Sequence, residues 1–193
     1  MSKYFLDTEF IEGFHKPLFG KKRHHIDLIS IGLYCEDGRT FYKISSEYDY
    51  KDADGWVREN VILKAYKHEV KGDARNRYGA NTFHKHYGFP NGYIRGLLLD
   101  FFALGGTTPI EIYGYFADYD WVLFCSLFGR MIDLPKGFPM YCMDLKQMMQ
   151  ERGLTGEWKR QNCPEPENEH NALADAKWNY RLYTKIIETD AAK

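Results

Sequence analysis

A mixed β-sheet flanked by helices, an α/β arrangement, is the fold this sequence predicts, and three observations lead to it. Strand-like runs crowd the first 45 residues, helical and strand-like periods alternate after residue 92, and the chain closes on one long helical period. The 193 residues are 44% hydrophobic and 27% charged. That is enough apolar material for a real core, so a single domain over residues 1–193 is expected.

Taken in order, "KYFLDTEFI" over residues 3–11 is a strand, "IDLISIGLYC" over 26–35 a second and "TFYKIS" over 40–45 a third. The turn signal Glu36-Asp37-Gly38 joins the last two, which predicts an antiparallel meander. Residues 56–66, "WVRENVILKAY", have the apolar spacing of a short helix, and the polar stretch 71–91 without a clear period is expected to be loop. A helix over 92–104 stops at Gly105-Gly106, and "IEIYGYF" over 110–116 is a strand entering a helix at about 119–128. "MYCMD" is a last short strand, after which Asp144 can cap a helix over 145–152. The final helix, over 171–187, carries Leu173, Ala176, Tyr180, Tyr183 and Ile187 as an apolar stripe.

Composition excludes several classes. The ends of the chain show no secretory signal and no apolar run approaches a membrane span, so a soluble cytoplasmic protein without a membrane partner is expected. Cys35, Cys125, Cys142 and Cys163 lack C-x-x-C spacing, which speaks against zinc or a disulfide framework. A net charge of −1 is not that of a protein coating nucleic acid, so such a substrate would be gripped locally.

Asp7 and Glu9 stand out because they sit two apart inside an apolar strand and so point the same way, in line with Phe5 and Ile11. Like charges on a partly buried sheet are unfavourable unless a cation joins them. Acid pairs at Asp52/Asp54, Glu165/Glu167 and Glu167/Glu169 lie in polar stretches and read as solvated charge. Asp118 and Asp120 follow the strand 110–116, at the carboxyl end where open α/β sheets place their sites. His170 and Asp175 share an H-x4-D spacing with His68 and Asp73, but only His170 precedes a helix. With Asn171 as N-cap, His170 lies in the entering loop, free to swing, while Asp175 is fixed on the helix. A histidine beside carboxylates suits proton transfer next to metal. The oxygen ligands suit Mg²⁺ or Mn²⁺, and two such divalent ions can serve phosphoryl transfer.

"DTE" at 7–9, "YD" at 119–120 followed by "WVLF", and "HNALAD" at 170–175 resemble, in the same order, the motifs of the DEDDh 3′-to-5′ exonucleases. "YFLDTEFIE", "DYDWVLFCSLFG", "DLPKGFPMYC" and "HNALADAKWN" resemble the branch typified by a mycobacterial polyadenylate-specific 3′-exoribonuclease, over nearly the whole chain. The resemblance implies a ribonuclease H-like fold with a mixed five-stranded sheet. It implies that Asp7, Glu9, Asp120 and Asp175 hold two divalent ions, with Asp7 bridging, and that His170 is the general base. It places Thr8, Glu9 and Phe10 against the terminal nucleotide, with core packing as the other reading of Phe10.

The implied reaction removes 5′-nucleoside monophosphates from the 3′ end of single-stranded RNA. The alternatives are a DNA exonuclease with the same site and an inactive nucleic-acid-binding module of the same fold. A homodimer is suggested by the resemblance alone. Two departures are visible: Phe116 stands where the wider family often has Asn, and Asp118 competes with Asp120, which is preferred because Tyr119-Asp120 and the apolar run after it match the motif. Residues 14–25, with Lys16, Lys21, Lys22 and Arg23, read as a basic loop, either meeting substrate phosphates or merely solubilising. The stretch 71–89, with Tyr78, Phe83 and Tyr87, reads either as a stacking platform or as core cover. Trp121, Trp178 and the last helix's tyrosines read as packing residues.

Overall fold

The computed structural model describes residues 2–15, 19–73, 75–103, 105–106, 109–166 and 169–191. Strand β1 (Ser2–His15) organises it, because its alternating side chains enter different apolar clusters. Tyr4 and Leu6 pack with Phe101, Phe102 and Phe124, whereas Phe5 packs with Trp178 and Leu182, and Ile11 with Val61 and Ile62. Strand β2 (Arg23–Cys35) pairs antiparallel with β1, and β3 (Thr40–Ile44) antiparallel with β2. Strand β4 (Ile110–Gly114) runs parallel to β1, and the two-residue β5 (Met143–Asp144) parallel to β4. The order β3-β2-β1-β4-β5 is the mixed five-stranded sheet expected, with the expected antiparallel meander at its start.

Helices cover the sheet where its apolar residues require it. Residues 55–69 form α1, whose middle stretch Arg58–Ile62 is a π turn. A short α2 (His84–Tyr87) is followed by α3 (Asn91–Ala103) and α4 (Asp118–Phe128), and α5 (Leu145–Glu151) starts at the expected Asp144 cap, whose Oδ1 accepts from the Gln147 N–H. Helix α6 (Gly156–Asn162) precedes α7 (Ala172–Ala191). Helix α7 can lie directly on β2 because Gly32 has no side chain: a Cβ there would come within 2.2 Å of the Ala172 backbone.

Several expectations change. The stretch over 14–25 expected as a basic loop is strand at both ends: β1 continues to His15 and β2 begins at Arg23, so the two form a long hairpin, and residues 19–22 between them are not strand. Lys16 lies outside the described residues, and Lys22 places its Nζ 4.0 Å from the centre of the Phe14 ring. Cation–π contact and cross-strand pairing carry the strands beyond the apolar pattern. The stretch 71–91 holds α2, and Phe83 is wholly buried, in line with core cover; Tyr78 is stacked on His86 and Tyr87 donates to Asp73. Helix α6, begun by a Thr155 cap, has no counterpart in the sequence reading. On α7 the buried face runs through Ala172, Ala176, Asn179, Leu182 and Ile186, and Ile187 is exposed. The stripe is rotated because Asn179, though polar, faces inward and donates to the Leu6 carbonyl at 2.9 Å. Among the described residues no helix is long and apolar enough to cross a membrane. The cysteines are free, as expected.

Candidate active site

Alternation on β1 turns Asp7 and Glu9 to the same face, opposite Gly32 and Ser30 of β2. Immediately after Glu9 the register slips: Phe10 faces Leu28, and Ile29 is the extra residue. This bulge sends Leu28 into the cluster of Ile31 and Leu33 and Ile29 into that of Ile11, and it bends the hairpin next to the acids. Because Gly32 admits the start of α7, Asp175 reaches over β1. Carboxylate oxygens of Asp7, Glu9 and Asp175 lie within 4.8 Å of one another.

Asp120 enters from the first turn of α4 and is buried. Its Oδ1 accepts from the Thr8 N–H at 2.8 Å and from the Thr8 hydroxyl at 2.5 Å, so Thr8 is committed to holding this carboxylate. All four acids, with Thr8 and Phe10, line one open cavity of about 320 Å³, together with His170 and Phe116. Asp118 is exposed and does not line it, whereas Asp120, the acid the sequence reading preferred, does. Phe10 packs against the main core and the Tyr119 ring, in line with the core-packing reading, and also lines the cavity.

His170 adopts φ = 67°, a left-handed conformation that histidine tolerates better than most residues. Its N–H donates to Asp175 Oδ2 at 2.9 Å, Asn171 caps α7 by accepting from the Ala174 N–H, and the imidazole rests edge-on against Trp56 at 4.8 Å. The residue is therefore held, where the sequence suggested a freely swinging one. His68 and Asp73, the other H-x4-D pair, turn to Glu69 and Tyr87 respectively.

The electrostatics follow from this crowding. Burial, then Asp120, Glu9 and Asp175, raise Asp7 well above the ordinary carboxylate range. Burial, then Asp175 and Asp120, push Glu9 up to about 8. Burial lifts Asp120 to about 6 against the pull of its Thr8 hydrogen bonds, and lifts Asp175 to about 6 against the N–H groups of His170 and Asn171. Lys64 lowers Glu9 only weakly. Buried carboxylates without an adequate counter-charge are the donor set of a hard divalent cation, whose charge would reverse these shifts. The residues therefore fit a hard divalent cation. Burial and Lys64 lower His170, which favours the neutral imidazole. One other group among the described residues, His25, Asp27 and Asp52, brings ligand-type atoms within 4.8 Å, away from this cavity.

Sequence reasoning missed Asn179, Trp56 and Glu169. Asn179 stands one turn after Asp175 on the same face of α7, a spacing that could have flagged it. Glu165 and Glu169 are exposed, in line with the solvated-charge reading, and they also line the cavity, with Glu165 paired to Lys159; Glu167 lies outside the described residues.

Comparison with known proteins agrees with this geometry. The family model of the Rv2179c-like 3′-5′ exoribonuclease domain matches residues 2–187. The 3′-5′ exoribonuclease Rv2179c of Mycobacterium tuberculosis (strain ATCC 25618 / H37Rv) is 34% identical over 190 residues, spanning 98% of this chain and 96% of that protein. The 3′-5′ exoribonuclease MT2234.1 of strain CDC 1551 / Oshkosh matches to the same extent. Convergence of the acids in one cleft and a family match along nearly the entire length lead to one conclusion: this chain belongs to the family of Rv2179c-like 3′-5′ exoribonuclease domains.

Proposed function

We propose that this chain is a divalent-metal-dependent exoribonuclease that shortens single-stranded RNA from its 3′ end and releases 5′-nucleoside monophosphates. The observation that carries the reading is the convergence of Asp7, Glu9, Asp120 and Asp175 with His170 in one cavity. Asp7, Glu9 and Asp175 would hold the cations most closely, and Asp120, oriented by Thr8, would complete the set. Divalent ions held there would neutralise the acids and supply the Lewis acidity that polarises the scissile phosphate and acidifies water.

The chain's own residues supply the rest. His170, neutral at physiological pH, takes a proton from the attacking water, and Trp56 and the Asp175 hydrogen bond fix where it stands. The water oxygen bonds to phosphorus as the bond to the upstream O3′ breaks. That oxygen leaves with the bonding pair and acquires a proton, giving a shortened strand and a mononucleotide. Phe10 offers an aromatic surface beside the terminal nucleotide.

The test uses 5′-labelled single-stranded RNA and its DNA counterpart with Mg²⁺, Mn²⁺ or chelator. Stepwise shortening of the RNA that chelator stops is the expected result. Equal cleavage of DNA would remove the ribose preference, and an inert chain would leave only nucleic-acid binding.

A further inference from the structure

The reading above leaves Phe116 unexplained. Strand β4 ends at Gly114, where a Cβ would meet that of Ala117 at 2.6 Å, and the chain turns through Phe116 before α4 begins. Phe116 has φ = 54°, a conformation unfavourable to any residue with a side chain, and the residue is 63% exposed. An aromatic ring in water at a strained position gains little for the fold. Yet it lines the same cavity as the acids, and the Tyr115 ring braces it at 4.7 Å, inclined by 65°. Tyr115 is itself held by the edge of Trp178 and by the Lys159 ammonium 4.8 Å from its ring centre.

The sheet order says what the ring faces. Asp7 and Glu9 lie on β1; the start of α7, with His170 before it, rests over Gly32 of β2; Phe116 follows β4, on the other side of β1. His170 and Phe116 thus flank Asp7 and Glu9 from opposite sides. In an in-line displacement the entering water and the leaving oxygen occupy opposite apices of the phosphorus. A base on the β2 side directs the leaving O3′, and the nucleoside attached to it, toward β4.

We propose that Phe116 stacks on the base of the nucleotide immediately upstream of the scissile phosphate, holding the leaving strand in line. This rests on the exoribonuclease reading with His170 as base. Such stacking tolerates any base but needs an unpaired one, so the site favours single-stranded ends.

The test compares Phe116→Ala, Phe116→Gly and Phe116→Tyr on a single-stranded RNA and on the same RNA with an abasic ribose as its penultimate residue. On normal RNA the Ala and Gly variants should lose about 10-fold or more in kcat/KM for the first cleavage. Phe116→Gly should melt no lower than the parent, since glycine relieves the positive φ, and Phe116→Tyr should recover most of the loss. The parent chain should cut the abasic RNA about as slowly as Phe116→Ala cuts normal RNA, and on the abasic strand the Ala substitution should add little. Parental rates for Phe116→Ala on normal RNA, or an equal loss on both strands, would overturn this inference alone. A parent chain inert on both strands would overturn the exoribonuclease reading and this inference with it.

Discussion

Glu9 and Asp7 are held where their charge is least welcome, and that has a measurable sign. In the unfolded chain they would ionise near 4.5 and 3.8, whereas the fold raises Glu9 to about 8 and Asp7 well above its ordinary value. The folded chain then binds more protons than the unfolded one between these limits, so without metal its stability falls as pH rises from about 4 through about 8. Calorimetry in chelator should show a lower Tm at pH 8 than at pH 5.5, and added Mn²⁺ should restore it. Glu9→Gln should flatten this dependence and raise Tm at pH 8, by about 2–4 °C for each kcal/mol of repulsion removed, while activity falls. A Tm that rises with pH in chelator would contradict the assignment. Thr8→Val keeps the shape of a β-branched strand residue but removes the hydroxyl that donates to Asp120. A loss of about 10- to 100-fold in activity is expected, regained in Thr8→Ser. The acids and His170 were legible because their motifs are written in the chain. The bond from Thr8 to Asp120 was not, because 112 residues separate the partners and only the fold brings them together.

Among the elements, β2 and α7 decide whether the site exists. Ala172 backbone atoms occupy the space a Cβ would need at Gly32, so Gly32→Ala must lift the start of α7, and with it His170 and Asp175, away from Asp7. We predict a destabilisation of about 1–3 kcal/mol and loss of nearly all turnover. Gly96→Ala, on the exposed face of α3 with nothing near its Cβ, should instead stabilise by up to about 1 kcal/mol. Equal effects of the two substitutions on activity would show that the close approach is immaterial. Most elements could be read from period and caps, including Asp144 before α5 and Asn171 before α7. The reading failed where tertiary pairing overrides pattern. The hairpin carries polar residues such as His24 and Glu12 into its strands by pairing them across the ladder, and α6 is too short and too polar to show a period.

For the molecule as a whole, the mixed sheet and its meander followed from the order of strands and helices, whereas the order β3-β2-β1-β4-β5 depends on parallel pairings that no local pattern encodes. That order places β1 between β2, on which the start of α7 rests, and β4, after which Phe116 and Asp120 follow, so acids far apart in sequence meet in a chain whose net charge is only −1. Repulsion confined to one cleft is relieved by protonation or, under the function proposed above, by divalent cations. The decisive experiment is an electron paramagnetic resonance titration of free Mn²⁺ at pH 7.5 against the parent chain and Asp7→Ala. Saturable uptake of two ions per parent chain, lost in Asp7→Ala, is the predicted result; no uptake by the parent, or the same uptake by both proteins, would contradict it.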